Sequence, residues 1–108
     1  MLVNAKGKSD WIKDVLGKVR RHVNEGKYRI TFHAQERQKK YKVTLSNVLF
    51  VLLNGFHEEE KTLFDTTFQT WKYAIRGKMI DGQEELRVIV AFENEMAVLT
   101  IIPLKEKK

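Results

Sequence analysis

Cysteine is absent from the 108-residue chain, which excludes disulfides, thiolate metal sites and a cysteine nucleophile. No apolar run approaches the ~20 residues of a membrane-spanning helix, and the N-terminus lacks a signal-peptide core, so a cytoplasmic protein without membrane attachment is expected. The three histidines, His22, His33 and His57, are too far apart for an H-x-x-x-H pair. No metal site is therefore expected. A glycine-rich phosphate loop and a G-x-S-x-G motif are also missing, which removes nucleotide hydrolysis and serine-hydrolase chemistry. No cofactor is implied. The only proline is Pro103, read as the point where strand pairing stops.

What is present is positive charge. Lys plus Arg number 20 against 14 acidic residues, a net charge of +6, which favours nucleic acid or another polyanion as partner. Part of the excess sits in a polar leader over 1–8, expected to fray, and in a basic tail over 104–108. The length suits one domain spanning 1–108 with a single core.

Organisation comes from the stretch Phe68 to Glu93. Asp81-Gly82 is a strong hairpin signal, read as a two-residue type I′ turn. That register pairs Ile80 with Gln83, Ile75 with Val88, Tyr73 with Val90 and Trp71 with Phe92, giving one apolar face. The opposite face pairs Lys78 with Glu85, Ala74 with Ile89, Lys72 with Ala91, and Arg76 with Arg87. Two like charges directly opposite one another cost up to about 1 kcal/mol, a cost that an intervening anion removes. The alternative is that both guanidinium groups splay into water over a solvated face.

The remaining elements follow from periodicity and caps. Ser9 is a candidate N-cap for an amphipathic helix of about four turns carrying Trp11, Ile12, Val15, Leu16, Val19 and Val23, stopped at Gly26. Its terminal Arg20, Arg21 and His22 suit the helix dipole. Tyr28, Ile30 and Phe32 alternate as a short strand. His33 opens a helix in which Arg37 shares its face. Thr44 caps a third helix, with Leu45, Val48, Leu49, Leu52 and Leu53 on its buried stripe and Asn54-Gly55 as the stop. His57 to Lys61 reads as a solvated acidic run, and Thr62 to Phe68 as an extended segment. A second turn at Asn94-Glu95, if two residues long, pairs Val90 with Leu99 and Val88 with Ile101. The fold class expected is α+β: N-terminal helices packed on one face of a three- to four-stranded antiparallel sheet, with the arginine face left open.

Metal-free RNA cleavage requires a base for the 2′-hydroxyl, cations for the crowded phosphorane and an acid for the leaving oxygen. Arg76 and Arg87 form a natural phosphate clamp because the planar guanidinium grips oxygens in pairs. His33 is a candidate acid or base, with Arg37 one turn on as a third cation and Lys61 as further charge. The other reading of His33 is a partly buried histidine at a helix start. Lys72, Lys78 and Arg29 are candidate RNA contacts.

From Val23 onward the chain resembles the MqsR messenger-RNA interferase toxins of the RelE-like group. Val23, Asn24, Gly26, Arg29 and Thr31 meet a V-N-x-G-x-x-R-x-T pattern, and Thr70-Trp71, Arg76, Gly82-Gln83, Val98-Leu99 and Lys105-Glu106-Lys107 follow in similar order. The segment F-H-A-Q-E-R with Val43-Thr44 is also similar to a broad bacterial domain family with an H-A-x-x-R motif. The resemblance implies a RelE-like fold and a metal-independent endoribonuclease toxin that cleaves mRNA, with or without the ribosome, and is held inactive by a cognate antitoxin protein. It makes Lys61 the counterpart of a catalytic lysine and Arg76 that of an arginine. Lys72 and Glu85 stand where such toxins carry functional glutamine and tyrosine, which leaves His33 or Lys61 to move protons. The alternative is a non-catalytic RNA- or protein-binding module on the same scaffold.

Overall fold

The structure is a computed structural model that describes residues 11–105. The leader over 1–8, the Ser9 cap and all but the first two residues of the basic tail lie outside that range. Within it the chain is α+β, with three helices and a mostly antiparallel six-stranded sheet. In order these are α1 (Val15–Asn24), β1 (Tyr28–Ile30), α2 (Phe32–Tyr41), α3 (Leu45–Asn54) and β2 (Phe56–His57). A 3-10 turn (Glu59–Lys61), β3 (Leu63–Asp65), β4 (Thr70–Lys78), β5 (Glu85–Phe92) and β6 (Met96–Leu104) complete the chain.

The sheet runs β1-β6-β5-β4-β2, with β3 sharing the outer edge of β4, and β1 lies parallel to β6. This corrects the expected three to four antiparallel strands. Strands β1, β2 and β3 are only two or three residues long, too short for alternation to reveal where they pair.

Helix α1 is shorter than its apolar periodicity suggests. It starts at Val15, because the Asp14 side chain accepts from Gly17 N–H and caps it there. Ile12 precedes the helix and donates its N–H to the Tyr73 hydroxyl at 2.9 Å. Helix α2 is capped by Thr31, whose hydroxyl accepts from Ala34 N–H, and Phe32 belongs to the helix rather than the strand. Thr44 caps α3 as expected. Its buried stripe is Val48, Val51 and Leu52, while Leu45 is exposed. These helices bury Val15, Val19, Ala34, Val48, Val51 and Leu52 against Tyr73, Ile75, Val88, Val90, Val98 and Ile101. All the described helices therefore pack on one face of the sheet.

The β4–β5 register pairs Tyr73 with Val90, Ile75 with Val88 and Arg76 with Arg87. Its loop is wider than a two-residue turn. Met79 N–H reaches Glu84 C=O at 2.9 Å and Gly82 N–H reaches Met79 C=O at 2.8 Å, and only Gly82 takes a positive φ, 75°. Asn47 of α3 accepts from Ile80 N–H at 2.8 Å, which holds the strand end against the helix and away from Gln83. The widening is symmetric, so the register survives.

At the β5–β6 turn Phe92 pairs with Met96, leaving three loop residues, and Val90 meets Val98 rather than Leu99. A bulge between Ile89 and Val90 then restores Val88↔Ile101 and Ile89↔Thr100. Pairing also continues through Pro103, which stands opposite Leu86. Two residues earlier the Ile101 carbonyl points off the sheet edge to accept from Arg37 Nε at 2.7 Å. Pro103 repeats that orientation, so its missing N–H falls on the open edge.

Strand β2 is joined to β4 by an approach that only glycine permits. A Cβ on Gly77 would stand 2.9 Å from the Gly55 Cα, and one on Gly55 would collide with the Arg76 backbone. Gly77→Ala is expected to destabilise the protein by about 1–3 kcal/mol, as overpacking does, measured by urea denaturation. Wild-type stability in that variant would refute the contact.

Candidate functional site

Alternation along β2 and past its end decides what faces the arginines. Phe56 stands directly opposite Arg76, and His57 opposite Ile75. Phe56 and Glu58 therefore share the outer face with Arg76 and Arg87, while His57 turns inward. Glu58 is not solvated, as its acidic run suggested. It is only 5% exposed and lies between the two guanidinium groups.

The contacts are close and charge-assisted. Arg87 grips Glu58 with both arms, Nε to Oε1 at 2.7 Å and Nη2 to Oε2 at 3.0 Å. Arg76 reaches the same Oε2 through Nη1 at 3.1 Å and holds Glu85 Oε1 through Nε at 2.7 Å. Two arginines and two glutamates thus form a neutral chain whose inner end is closed. The Arg87 side chain is 14% exposed, whereas Arg76 is 34% exposed. The forked hydrogen bonds from Arg87, helped by Arg76, hold the Glu58 carboxyl below its ordinary pKa against the opposing effect of burial.

Thr62 places this carboxylate. Its hydroxyl accepts from Ala74 N–H at 3.0 Å and donates to the Glu58 carbonyl at 3.2 Å. The Glu58 N–H in turn reaches the Ala74 carbonyl at 2.8 Å. Below this, His57 Nε2 meets the Thr62 hydroxyl at 2.9 Å, and its ring packs on Trp11 and Tyr73 at 5.5 and 5.7 Å. Burial depresses the His57 pKa, and the neutral ring helps to seat the turn beneath the acid.

The other candidate residues divide by position. Lys61 lies exposed at the end of the 3-10 turn, its N–H bonded to the Glu58 carbonyl at 3.1 Å, and so belongs to the same corner. Lys78 is exposed on the arginine face, opposite Glu85. Lys72 shares that face farther along β4 and is paired with Asp65 at 3.4 Å. His33 and Arg37 belong to α2, which runs along β6. His33 is exposed and Arg37 is committed to the Ile101 carbonyl. No hydrogen bond or ion pair among the described residues joins these two to the arginine pair. Arg29 sits on the far strand β1, near Glu93 at 3.8 Å. Of the α1 basic cluster, Arg20 reaches across to the Gly55 carbonyl at 3.0 Å, bracing the start of β2.

Glu58 is the residue that sequence reasoning missed. The signal existed: a like-charge pair demands an anion, and three consecutive glutamates follow the glycine that opens β2. Among the described residues no group of three or more His, Asp or Glu side chains is arranged to hold a metal ion.

Replacing Glu58 by alanine leaves Arg87 without a partner in a poorly hydrated position, although Arg76 can turn into water. A loss of about 1–3 kcal/mol is expected. Because the folded-state pKa of Glu58 is depressed, its contribution is complete above the ordinary glutamate pKa and is lost as pH falls through the folded value. Glu58→Gln should therefore flatten the acid limb of the stability–pH curve, followed by urea denaturation between neutral and strongly acidic pH. An unchanged acid limb would remove the carboxylate from the network. Neither a protein family, nor a curated protein, nor a solved structure matches this chain.

Proposed function

We propose that the Arg76–Glu58–Arg87 corner is the phosphodiester-cleaving centre of a metal-independent endoribonuclease with a RelE-like fold, acting on mRNA as the toxin of a toxin-antitoxin pair. The observation that carries this reading is a carboxylate held between two arginines on the sheet face that no described helix covers. A base flanked by two phosphate-binding forks is what 2′-hydroxyl attack on a phosphodiester requires.

The chemistry proceeds by exchange. An incoming phosphate enters at Arg76, the more exposed arginine, and displaces Glu85, whose side chain is itself 29% exposed. As phosphate oxygens take over the Arg76 N–H groups, Glu58 keeps the Arg87 fork but loses the Arg76 contact that helps to depress its pKa, and it gains a negative neighbour. Both changes raise its basicity. Glu58 then accepts the 2′-hydroxyl proton, the 2′-oxygen bonds to phosphorus, and the arginines hold the charge of the phosphorane. The bond to the 5′-oxygen breaks with a proton supplied by Lys61, leaving a 2′,3′-cyclic phosphate and a 5′-hydroxyl. Lys61 is favoured over His33 because it shares the 3-10 turn with Glu58. Lys72 and Lys78 continue the cationic track along β4.

The second reading, a non-catalytic RNA- or protein-binding module, draws on the same network. Two arginines balanced by two glutamates form a stable brace with no chemistry required of it.

Incubation with a mixed-sequence RNA in EDTA separates the two. The enzyme reading expects cyclic phosphate ends and a loss of cleavage of about 10²-fold or more in Glu58→Gln, with RNA binding retained. Arg76→Lys, which keeps charge but loses the fork, should lower cleavage more than binding. On expression, Arg76→Ala with Arg87→Ala should abolish growth arrest. Binding without cleavage in the wild type would establish the module instead.

A further inference from the structure

Phe56 is exposed to 51% although it lies in a strand, directly opposite Arg76. Arg76 in turn stands opposite Arg87, and Arg87 opposite Ile102. One row across the sheet therefore reads Phe56, Arg76, Arg87, Ile102, with neighbouring strands about 4.8 Å apart. Other exposed aromatics have local company or lie off the sheet. Tyr41 is covered by Arg37 and Lys40, while Phe32 belongs to α2 and Phe68 to the turn before β4. None of the ring–ring or cation–ring contacts among the described residues involves Phe56.

Keeping a phenylalanine in water beside a guanidinium forgoes the burial that an aromatic ring ordinarily gains. The position is also held with some force. Gly55 before it abuts the Arg76 backbone, Arg20 grips the Gly55 carbonyl at 3.0 Å, and the inward His57 after it is locked by Thr62 at 2.9 Å. The ring is therefore presented from a rigid strand.

We infer that Phe56 is a stacking platform for an unpaired nucleobase of a single-stranded RNA, adjoining the phosphate held by Arg76. This rests on the phosphate-binding reading of the arginine pair and adds a recognition element to it. One strand spacing separates the ring from the cation, so a base on Phe56 and the phosphate on Arg76 belong to the same or the next nucleotide. Stacking tolerates any base, because every base has a π-face. Discrimination at this subsite is accordingly expected to follow stacking strength, purine over pyrimidine, and to require single-stranded rather than duplex RNA.

Two hexamers test it at low salt in EDTA, each with a 2′-deoxy block at every sugar to prevent cleavage. One is oligoadenylate and the other an abasic backbone of the same length, so phosphates are matched and bases are not. Wild-type protein should bind the adenylate more tightly, by about 5- to 150-fold, the range that one stacked base contributes. Phe56→Ala should fall to the abasic level on both, while Phe56→Trp should restore the preference. A 2-aminopurine at one position of the adenylate should be quenched by wild type and by Phe56→Trp but not by Phe56→Ala. Arg76→Lys should weaken both oligomers alike and leave their ratio unchanged. Equal wild-type affinity for the two oligomers would overturn the stacking platform while leaving the phosphate site standing. Binding to neither would overturn both readings, and would leave the exposed ring as an apolar contact for a protein partner.

Discussion

Everything at the arginine corner depends on the side-by-side placement of Arg76 and Arg87 in the β4–β5 ladder and on Glu58, the one carboxylate that bridges both. Two guanidinium groups at directly paired positions repel, and helices on the opposite face cannot relieve them. Glu58 relieves them from the edge, carried in by a two-residue strand and a 3-10 turn. The glycine contact at Gly55 and Gly77, the Thr62 hydroxyl and the inward His57 all serve to bring that carboxylate to one place. Much of the irregular chain between α3 and β3 is thus explained by one electrostatic requirement.

The same arrangement gives the corner two faces with different mobility. Arg87 and Glu58 form a shielded, bidentate pair, which resists substitution by solvent. Arg76 and Glu85 form an outer pair with more access to water, and exposed pairs of this kind contribute little to stability. The outer pair is therefore the weaker of the two and the inner pair the firmer. Phe56 stands beside that outer pair, so charge and an exposed aromatic ring adjoin one another along a single row of the sheet.

Much of this was legible in the sequence. The Arg76/Arg87 pairing followed from the apolar alternation of Tyr73, Ile75, Val88 and Val90, which permits no one-residue slip without exposing the core. The turn at Asp81-Gly82 pointed to that register, although Asn47 opens the loop wider than its residues alone require. The caps at Thr44 and the stops at Gly26 and Gly55 were local and readable. The need for an anion beside the arginines was readable, and so were the glutamates at 58–60, but not that Glu58 would fill the place, because that depends on β2 joining the far edge of β4, a contact set by backbone proximity at two glycines and not by any periodic pattern. The His33 and Arg37 proximity was real along the helix, yet α2 runs on β6, and sequence spacing carries no information on which strand a helix covers.

In the proposed reaction Glu58 neutralises the arginines in the free protein and becomes a base when a phosphate takes over Arg76. Carbon-13 NMR of the Glu58 carboxyl, titrated with and without a 2′-deoxy-blocked dinucleotide, measures this directly. Exchange at Arg76 requires a midpoint below the ordinary glutamate value in the free protein and a clear upward shift once the dinucleotide is bound. A bound dinucleotide that leaves the Glu58 midpoint where it was would contradict it.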